Sequence, residues 1–273
     1  MENEWRTDRL DLEGYLARVG VPAREPSGAA LAELHEAHVR TFTFDNIDVL
    51  LGQHRGVAIE DVSQKFVGRG RGGYCFEHST LLAAALERLG YDVRRHLGRV
   101  GDPAAGTQQG RTHMVVEVTV DGRSVLCDPG FGMSLLRPIG LADGAEDDYL
   151  PGWRYRMTRT DEGWVLSRMG ADGWEVAHTT DDLAVKPVDV VMAHHYTSTF
   201  PTSHFTTTLM LTKHLPGRHI TVTHRTLTVR TPGEPTEHRP LRDGELGDWL
   251  TALEVPLTGD ERARLLTAVG GLA

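Results

Sequence analysis

Cysteine is scarce in this chain: its 273 residues include two, Cys75 and Cys127. Two thiols in so long a chain do not make a disulfide framework, and they fit a reducing, cytosolic setting. Long hydrophobic runs are missing as well. No stretch approaches the roughly 20 apolar residues that a membrane-crossing helix needs, so no membrane association is expected. The opening Met1-Glu2-Asn3-Glu4-Trp5-Arg6 lacks the basic-then-apolar order of a secretory leader, which also points to the cytoplasm. Positive charge is in deficit, with 29 Lys and Arg against 38 Asp and Glu and a net charge of −9. Nucleic acid is therefore not an expected partner, because neutralising its phosphates takes a basic face. A small anionic co-substrate, which needs only a local cluster of donors, stays compatible with the acidity.

What is there reads as a soluble globular enzyme, 40% hydrophobic and 25% charged, without repeats or low-complexity tracts. The first quarter has helical spacing. Leu10, Leu12, Tyr15, Leu16 and Val19 end at Gly20, and Ser27 is placed to cap a second helix through Leu31, Leu34, His38 and Phe42. Cys75 to Leu89 carries a stripe of Phe76, Leu82, Ala83, Leu86 and Leu89, closed by Gly90. From Tyr91 the period changes to two. Thr112–Val120 and Arg123–Cys127 flank an Asp121-Gly122 turn, and a meander of three strands opens at Trp153, Trp164 and Trp174. Pro187–Tyr196 reads as helical or irregular, Thr206–Lys213 and Ile220–Val229 as one strand each, and Leu246–Leu253 and Glu261–Val269 as closing helices.

The densest chemical signal is Arg69-Gly70-Arg71-Gly72-Gly73-Tyr74-Cys75-Phe76-Glu77-His78. It sets a cysteine just past a glycine-rich turn, in the first turn of a helix. Unpaired N–H groups and the positive end of the helix dipole favour a thiolate there, and they suit an oxyanion formed by its attack. Alone, such a cysteine reads equally well as an inert residue packing a helix end. The partners decide between the readings. His113 opens an apolar strand, Asp128 follows the returning one, and a hairpin at Asp121-Gly122 brings both to the same open end. There the aspartate can fix one imidazole tautomer while the other nitrogen faces Cys75.

These blocks, Arg71-Gly72-Gly73-Tyr74-Cys75-Phe76-Glu77, Thr112-His113 and Asp128-Pro129-Gly130-Phe131-Gly132, resemble the signature blocks of the arylamine N-acetyltransferases. Phe44-Asp45-Asn46 and Ser198–Phe205 add to the resemblance, which covers roughly residues 8 to 230. It departs from the family's pattern at Ser79, Thr43 and Pro129. The resemblance implies an α+β fold with a cysteine-protease-like core: an N-terminal helical bundle (1–90) with the nucleophile, a central antiparallel β-barrel (91–195) with the histidine and aspartate, and a C-terminal α/β lid (196–273). It implies Cys75, His113 and Asp128 as the catalytic triad, and Phe44, Gly130, Phe131, Gly132 and Phe205 at the substrate and donor pocket. The co-substrate implied is acetyl-CoA, or another acyl thioester, and the acceptor a small-molecule amine.

Relatives that act as amide synthases supply an alternative: a long acyl chain taken from an acyl carrier protein. Cys-His-Asp sets also serve hydrolases, and a non-catalytic binding protein on the same fold is the remaining reading. Gly68, Gly70 and Gly73 match G-x-G-x-x-G by spacing, but the strand–turn–helix context is missing. Arg69 and Arg71 suit a phosphate contact or a structural ion pair. His194, His195, His204 and His214 fit no compact ligand set, so no metal is expected, and they read as loop and surface histidines. Cys127 reads as a small buried hydrophobe.

Overall fold

The computed structural model describes residues 3–102, 105, 109–150 and 152–272. Its first part is helical: α1 (Leu12–Val19), α2 (Gly28–Thr41), α3 (Ile47–Leu50), α4 (Ile59–Ser63) and α5 (Cys75–Arg88). Local signals set the boundaries. Asp11 and Ser27 accept the Gly14 and Ala30 amides at the starts of α1 and α2, and Gly20 closes α1 with a left-handed φ of 72°. Helix α5 is buried from Cys75 through Leu86, because it runs through the middle of the protein. Tyr15, Leu31, Leu34 and Phe66 pack it on one side, and Val116 and Val118 join the same core from the neighbouring sheet. Covered on all sides, the helix buries Glu77, His78, Ser79 and Thr80 in its first half as well as the apolar Leu81–Leu86 run that follows.

Eight antiparallel strands follow: β2 (Asp92–Val100), β3 (His113–Val120), β4 (Arg123–Cys127), β5 (Ile139–Gly140), β6 (Glu146–Leu150), β7 (Trp153–Thr160), β8 (Gly163–Gly170) and β9 (Gly173–Thr180). They lie in the order β5-β4-β3-β2-β9-β8-β7-β6, a sheet that curls until its two ends nearly meet as a barrel. Asp121 and Gly122 both have positive φ, 51° and 72°, as the two-residue turn between β3 and β4 requires. Alternation along β3 turns His113 and Val115 to one face and Met114 and Val116 to the other. The first face looks into the barrel, where Val115 packs with Leu135, Tyr155 and Met157. Met114 packs with Phe76, and Val116 with Leu82, on the side of α5.

Helices α6 (Pro187–Thr199) and α7 (His204–Thr207) lead into a second sheet. Its order is β1 (Phe44–Asp45), β10 (Leu211–Leu215), β11 (Arg218–Val222), β12 (Thr226–Arg230) and β13 (Glu237–Pro240), and helices α8 (Glu245–Ala252) and α9 (Gly259–Gly270) pack with it. Strand β1 comes from the helical first part yet pairs with β10, Phe44 opposite Thr212, and so ties the two ends of the chain together.

Three readings of this last part change. Ile220–Val229 is not one strand but β11 and β12, folded back through Thr223–Arg225, where the Thr223 hydroxyl accepts the Arg225 and Thr226 amides. The strand expected from Thr206 begins at Leu211, because Ser203 caps the short α7. His214 is not a surface histidine: it is buried against Trp153 and His219 and bonded to the Ser134 carbonyl. No helix among the described residues is long and apolar enough to cross a membrane.

Candidate active site

Cys75 is the first residue of α5 and is 3% exposed. Its amide therefore has no intrahelical acceptor and stands at the positive end of the helix. The turn is fixed from behind, where Glu77, in the third helical position, accepts the Tyr74 amide at 3.1 Å. The other Glu77 oxygen takes Lys65 at 2.8 Å and His54 at 3.2 Å. Burial opposes charge on Glu77, but Lys65 and His54 hold its carboxyl well below the usual carboxylate range. Lys65 in turn is held above the ordinary lysine value: burial works against its charge, and Glu77, Asp48 and Asp45 outweigh it. Both arginines of the motif are in ion pairs. Arg71, fully buried, reaches Asp48 at 2.7 Å and Glu261 at 3.3 Å, and Arg69 reaches Glu261 at 2.5 Å.

Two glycines permit close approach. A Cβ on Gly72 would lie 1.9 Å from the Thr43 carbonyl oxygen, where the turn lies against β1. A Cβ on Gly130 would lie 2.7 Å from the Cys75 Cα, so only glycine lets the loop after Asp128 rest on the start of α5.

His113 begins β3, and Asp128 follows β4 directly. Val116 pairs with Cys127, which puts Asp128 level with Val115, a same-face diagonal neighbour of His113. His113 Nε2 lies 3.1 Å from Asp128 Oδ1, with both side chains at most 2% exposed. Cys75 and His113 line the same cavity, and Cys75 is near enough to add to the influences that raise the proton affinity of the ring. The Cys75 thiol lies 3.5 Å from the Thr112 carbonyl. Burial disfavours charge on His113, but the Asp128 carboxylate and then Cys75 overcome this and push its pKa up to about 10. Burial likewise opposes charge on Asp128, and His113 and His178 hold its carboxyl well below the ordinary range.

His178 is the residue that sequence reasoning missed. Its Nε2 lies 3.0 Å from Asp128 Oδ2, and its ring centroid is 4.8 Å from that of His113. Nothing in Trp174–His178 marks it beyond a histidine at the end of an expected strand. Among the described residues, His113, Asp128 and His178 form the one His/Cys/Asp/Glu group whose ligand-type atoms converge, within 4.8 Å. Each imidazole occupies its own carboxylate oxygen, the arrangement of a hydrogen-bonded set.

A cavity of about 530 Å³ opens onto Cys75 and His113. Phe44, Gly130, Phe131 and Phe205 line it, and Val100, Tyr196 and Met210 add apolar wall. Gly132 is not part of that wall. It turns with a φ of +90°, and its carbonyl accepts Thr212 Oγ1 and His219 Nε2, both at 2.9 Å. Two of the three departures from the motif pattern lie behind the site: the Ser79 hydroxyl donates to the Met114 carbonyl at 2.6 Å, and Thr43 donates to Asp45 at 2.7 Å. Cys127 is buried, and burial pushes its thiol well up, away from reactivity.

Comparison with known proteins gives the family of the chain. A family model described as N-acetyltransferase matches residues 29–255. An arylamine N-acetyltransferase of Mycolicibacterium smegmatis is 37% identical over 207 residues, 71% of this chain and 73% of that protein. One of Escherichia coli is 32% identical over 200 residues, 71% of this chain and 69% of that protein. Among solved structures, the arylamine N-acetyltransferase of Mycobacterium abscessus superposes with a TM-score of 0.89 at 32% identity, covering 97% of each chain. That of Mycobacterium marinum in complex with CoA gives 0.87 at 34% identity, covering 95% of this chain and 98% of that one.

Proposed function

The chain belongs to the arylamine N-acetyltransferase family, and on that premise we propose that it transfers an acyl group, acetyl by default, from coenzyme A to an aromatic or related amine through a thioester on Cys75. The observation that carries the proposal is the convergence on one cavity of Cys75, at the positive end of α5, and an imidazole that Asp128 holds protonated.

The reaction starts from the Cys75 thiolate beside a protonated His113. The Cys75 sulfur attacks the carbonyl carbon of the acyl thioester, and the oxyanion that forms is met by amide N–H groups at the start of α5. Collapse breaks the bond to the CoA sulfur, which leaves with the proton from His113. The products are free CoA thiol, a thioester on Cys75 and a neutral His113. With the thiolate consumed, one of the causes that raised His113 is gone, and it becomes the base for the second half. The amine attacks the same carbonyl, His113 takes the proton from nitrogen, and Cys75 departs as thiolate, so that the amide leaves and the original ion pair returns. Asp128 compensates the imidazolium in both halves, and a positioned base of this kind contributes on the order of 10²–10⁴-fold. The walls of Phe44, Phe131 and Phe205 suit an aromatic acceptor and keep water from the thioester. Two unpaired thiols suit a cytoplasmic enzyme.

One observation favours a second reading, a longer apolar acyl group delivered as a CoA or carrier-protein thioester. Val188, Val191, Met192 and Tyr196 stand exposed along one face of α6, with Phe200 stacked on Tyr196 at 4.7 Å. Tyr196 is also a wall of the cavity, so the apolar surface runs out of the site without a break.

Intact-protein mass spectrometry separates the two. One acetyl group on wild type after mixing with acetyl-CoA, absent from Cys75→Ala and discharged by an arylamine, is the expected result. An adduct formed only from a long-acyl thioester would replace the acetyl donor with the second reading. Loss of the acetyl group at equal rates with and without amine would make the protein a hydrolase, and no adduct from either donor would refute the assignment of Cys75.

A further inference from the structure

Asp128 has two oxygens and two imidazoles, and the transfer chemistry uses only one of each. Oδ1 faces His113, while Oδ2 accepts from His178 at 3.0 Å, with both side chains 1% exposed. We infer that His178 is a positioning residue for the reaction: its Nε2–H occupies the second oxygen of Asp128 and fixes the carboxylate in the orientation that serves His113. This rests on the role proposed above for Asp128.

The backbone is built to aim this side chain. Between β8 and β9, Leu166 pairs with His178 but Ser167 pairs with Val176, so that Ala177 is an extra residue on β9. Regular alternation would turn Ala177 and His178 to opposite faces, yet both are buried. A bulge that bends a strand beside a site is a known way to redirect a side chain. Here it delivers His178 to Asp128. Across the intervening β2, the residue paired with His113 is Gly98, which carries no side chain to keep the two rings apart. Phe131 packs on both, at 5.2 and 5.5 Å between ring centroids.

The protonation state fits the role. Burial lowers the proton affinity of His178, the charge on His113 lowers it further, and Asp128 opposes both. A neutral ring donating from Nε2 satisfies the carboxylate without cancelling the negative charge that His113 needs. A second imidazolium would cancel it. The other nitrogen, Nδ1, is buried and has no hydrogen-bond partner among the described residues. The bond to Asp128 is therefore the ring's one polar commitment, and an orphaned buried nitrogen is a cost that calls for a reason. Without His178, Oδ2 would be a buried charged oxygen lacking that donor, free to swing toward any other.

The test combines the wild type with two variants. In ¹⁵N-histidine-labelled wild-type protein, His178 should carry its proton on Nε2 and none on Nδ1 at pH 7. The opposite tautomer, or an imidazolium, overturns the inference and needs no variant to do so. His178→Gln keeps an N–H donor, and His178→Phe removes it. Single-turnover acetylation of Cys75 by p-nitrophenyl acetate should lose about ten- to a hundredfold in maximal rate in H178F, the scale of a hydrogen bond to a charged group. The half-saturating ester concentration should stay the same. H178Q should remain within a few-fold of wild type and keep the downfield proton resonance of His113 Nε2–H, which H178F should shift or lose. Full rate in folded H178F, or equal impairment in both variants, would mean that the ring's bulk matters and the donor does not. Wild type that takes no acetyl group would refute the proposed function, while the tautomer of His178 would still be read independently.

Discussion

Replacing Asp128 by Asn removes one charge and almost no volume, so its effect isolates what the carboxylate does. In the wild type the Asp128 charge is the largest of the influences that raise His113, and the pKa of about 10 leaves the ring almost wholly protonated at pH 7.5. Without that charge, burial, which acts in the opposite direction, is opposed only by the weaker influences, and the proton affinity of His113 falls. At pH 7.5 the imidazolium fraction then falls from nearly one. The sulfur loses its counter-ion in the same proportion. The assay is the rate of Cys75 carboxamidomethylation by iodoacetamide from pH 5 to 10, with the site located by mass spectrometry. Wild type should be level across neutral pH. D128N should be slower by about tenfold or more near pH 7.5 and should climb steeply with pH, closing the gap at the alkaline end. Stability should follow the same groups. A raised His113 contributes fully below about pH 6.5 and loses that contribution as pH rises through about 10. A depressed Asp128 contributes above the ordinary carboxylate range and loses that contribution as pH falls. Both limbs should flatten in D128N. A folded D128N that keeps the level profile between pH 6 and 8 would refute the charge argument.

Glu77→Gln should cost about 3 kcal/mol of unfolding free energy by urea titration, because Lys65 and His54 lose their buried anion while Lys65 keeps Asp48 at 3.3 Å; a cost below about 1 kcal/mol would mean that the cluster is screened. Gly130→Ala should cut single-turnover acetylation of Cys75 at least tenfold and cost about 1–3 kcal/mol, since the added carbon would sit 2.7 Å from the Cys75 Cα; wild-type rates would show that the loop yields freely. Cys127→Ala should leave the acetyl stoichiometry and the acylation rate unchanged, its thiol being buried and held protonated; loss of the adduct would transfer the nucleophile's role to it.

Much of the site was legible because it depends on short-range rules. A glycine-rich turn before an apolar stripe places Cys75 at a helix start, and Asp-Gly between alternating segments places His113 and Asp128 at one end of a hairpin. Both rest on local periodicity and turn chemistry, and the register of β3 and β4 agrees with them. The fold class followed from the motif resemblance, with the order of helical and alternating segments in agreement. The last third was less legible. There Thr223 closes a tight turn inside what reads as one strand, and Ser203 caps a short helix that runs into the start of what reads as another. Hydroxyl groups acting on nearby amides leave too weak a pattern to be seen against continuous β-branched sequence.

What periodicity could not supply is the second layer behind the reactive atoms, because that layer is built across elements far apart in the chain. His178 reaches Asp128 from 50 positions away, by a bulge that breaks the alternation any strand reading relies on. Arg71 suits either a phosphate contact or an ion pair in sequence, and it is spent on Asp48 and on Glu261, 190 positions away. Glu77 follows Cys75 by two positions, but its work is to anchor the turn through Tyr74, Lys65 and His54. Each of these groups is a charge or a polar ring that would be costly to bury alone. Their pairing makes the polar floor tolerable and the geometry rigid. The cavity wall is free to be apolar because the charges that hold Cys75 and His113 in place are satisfied beneath it. The motif residues with no place in that wall, Arg71, Glu77 and Gly132, belong to this supporting layer.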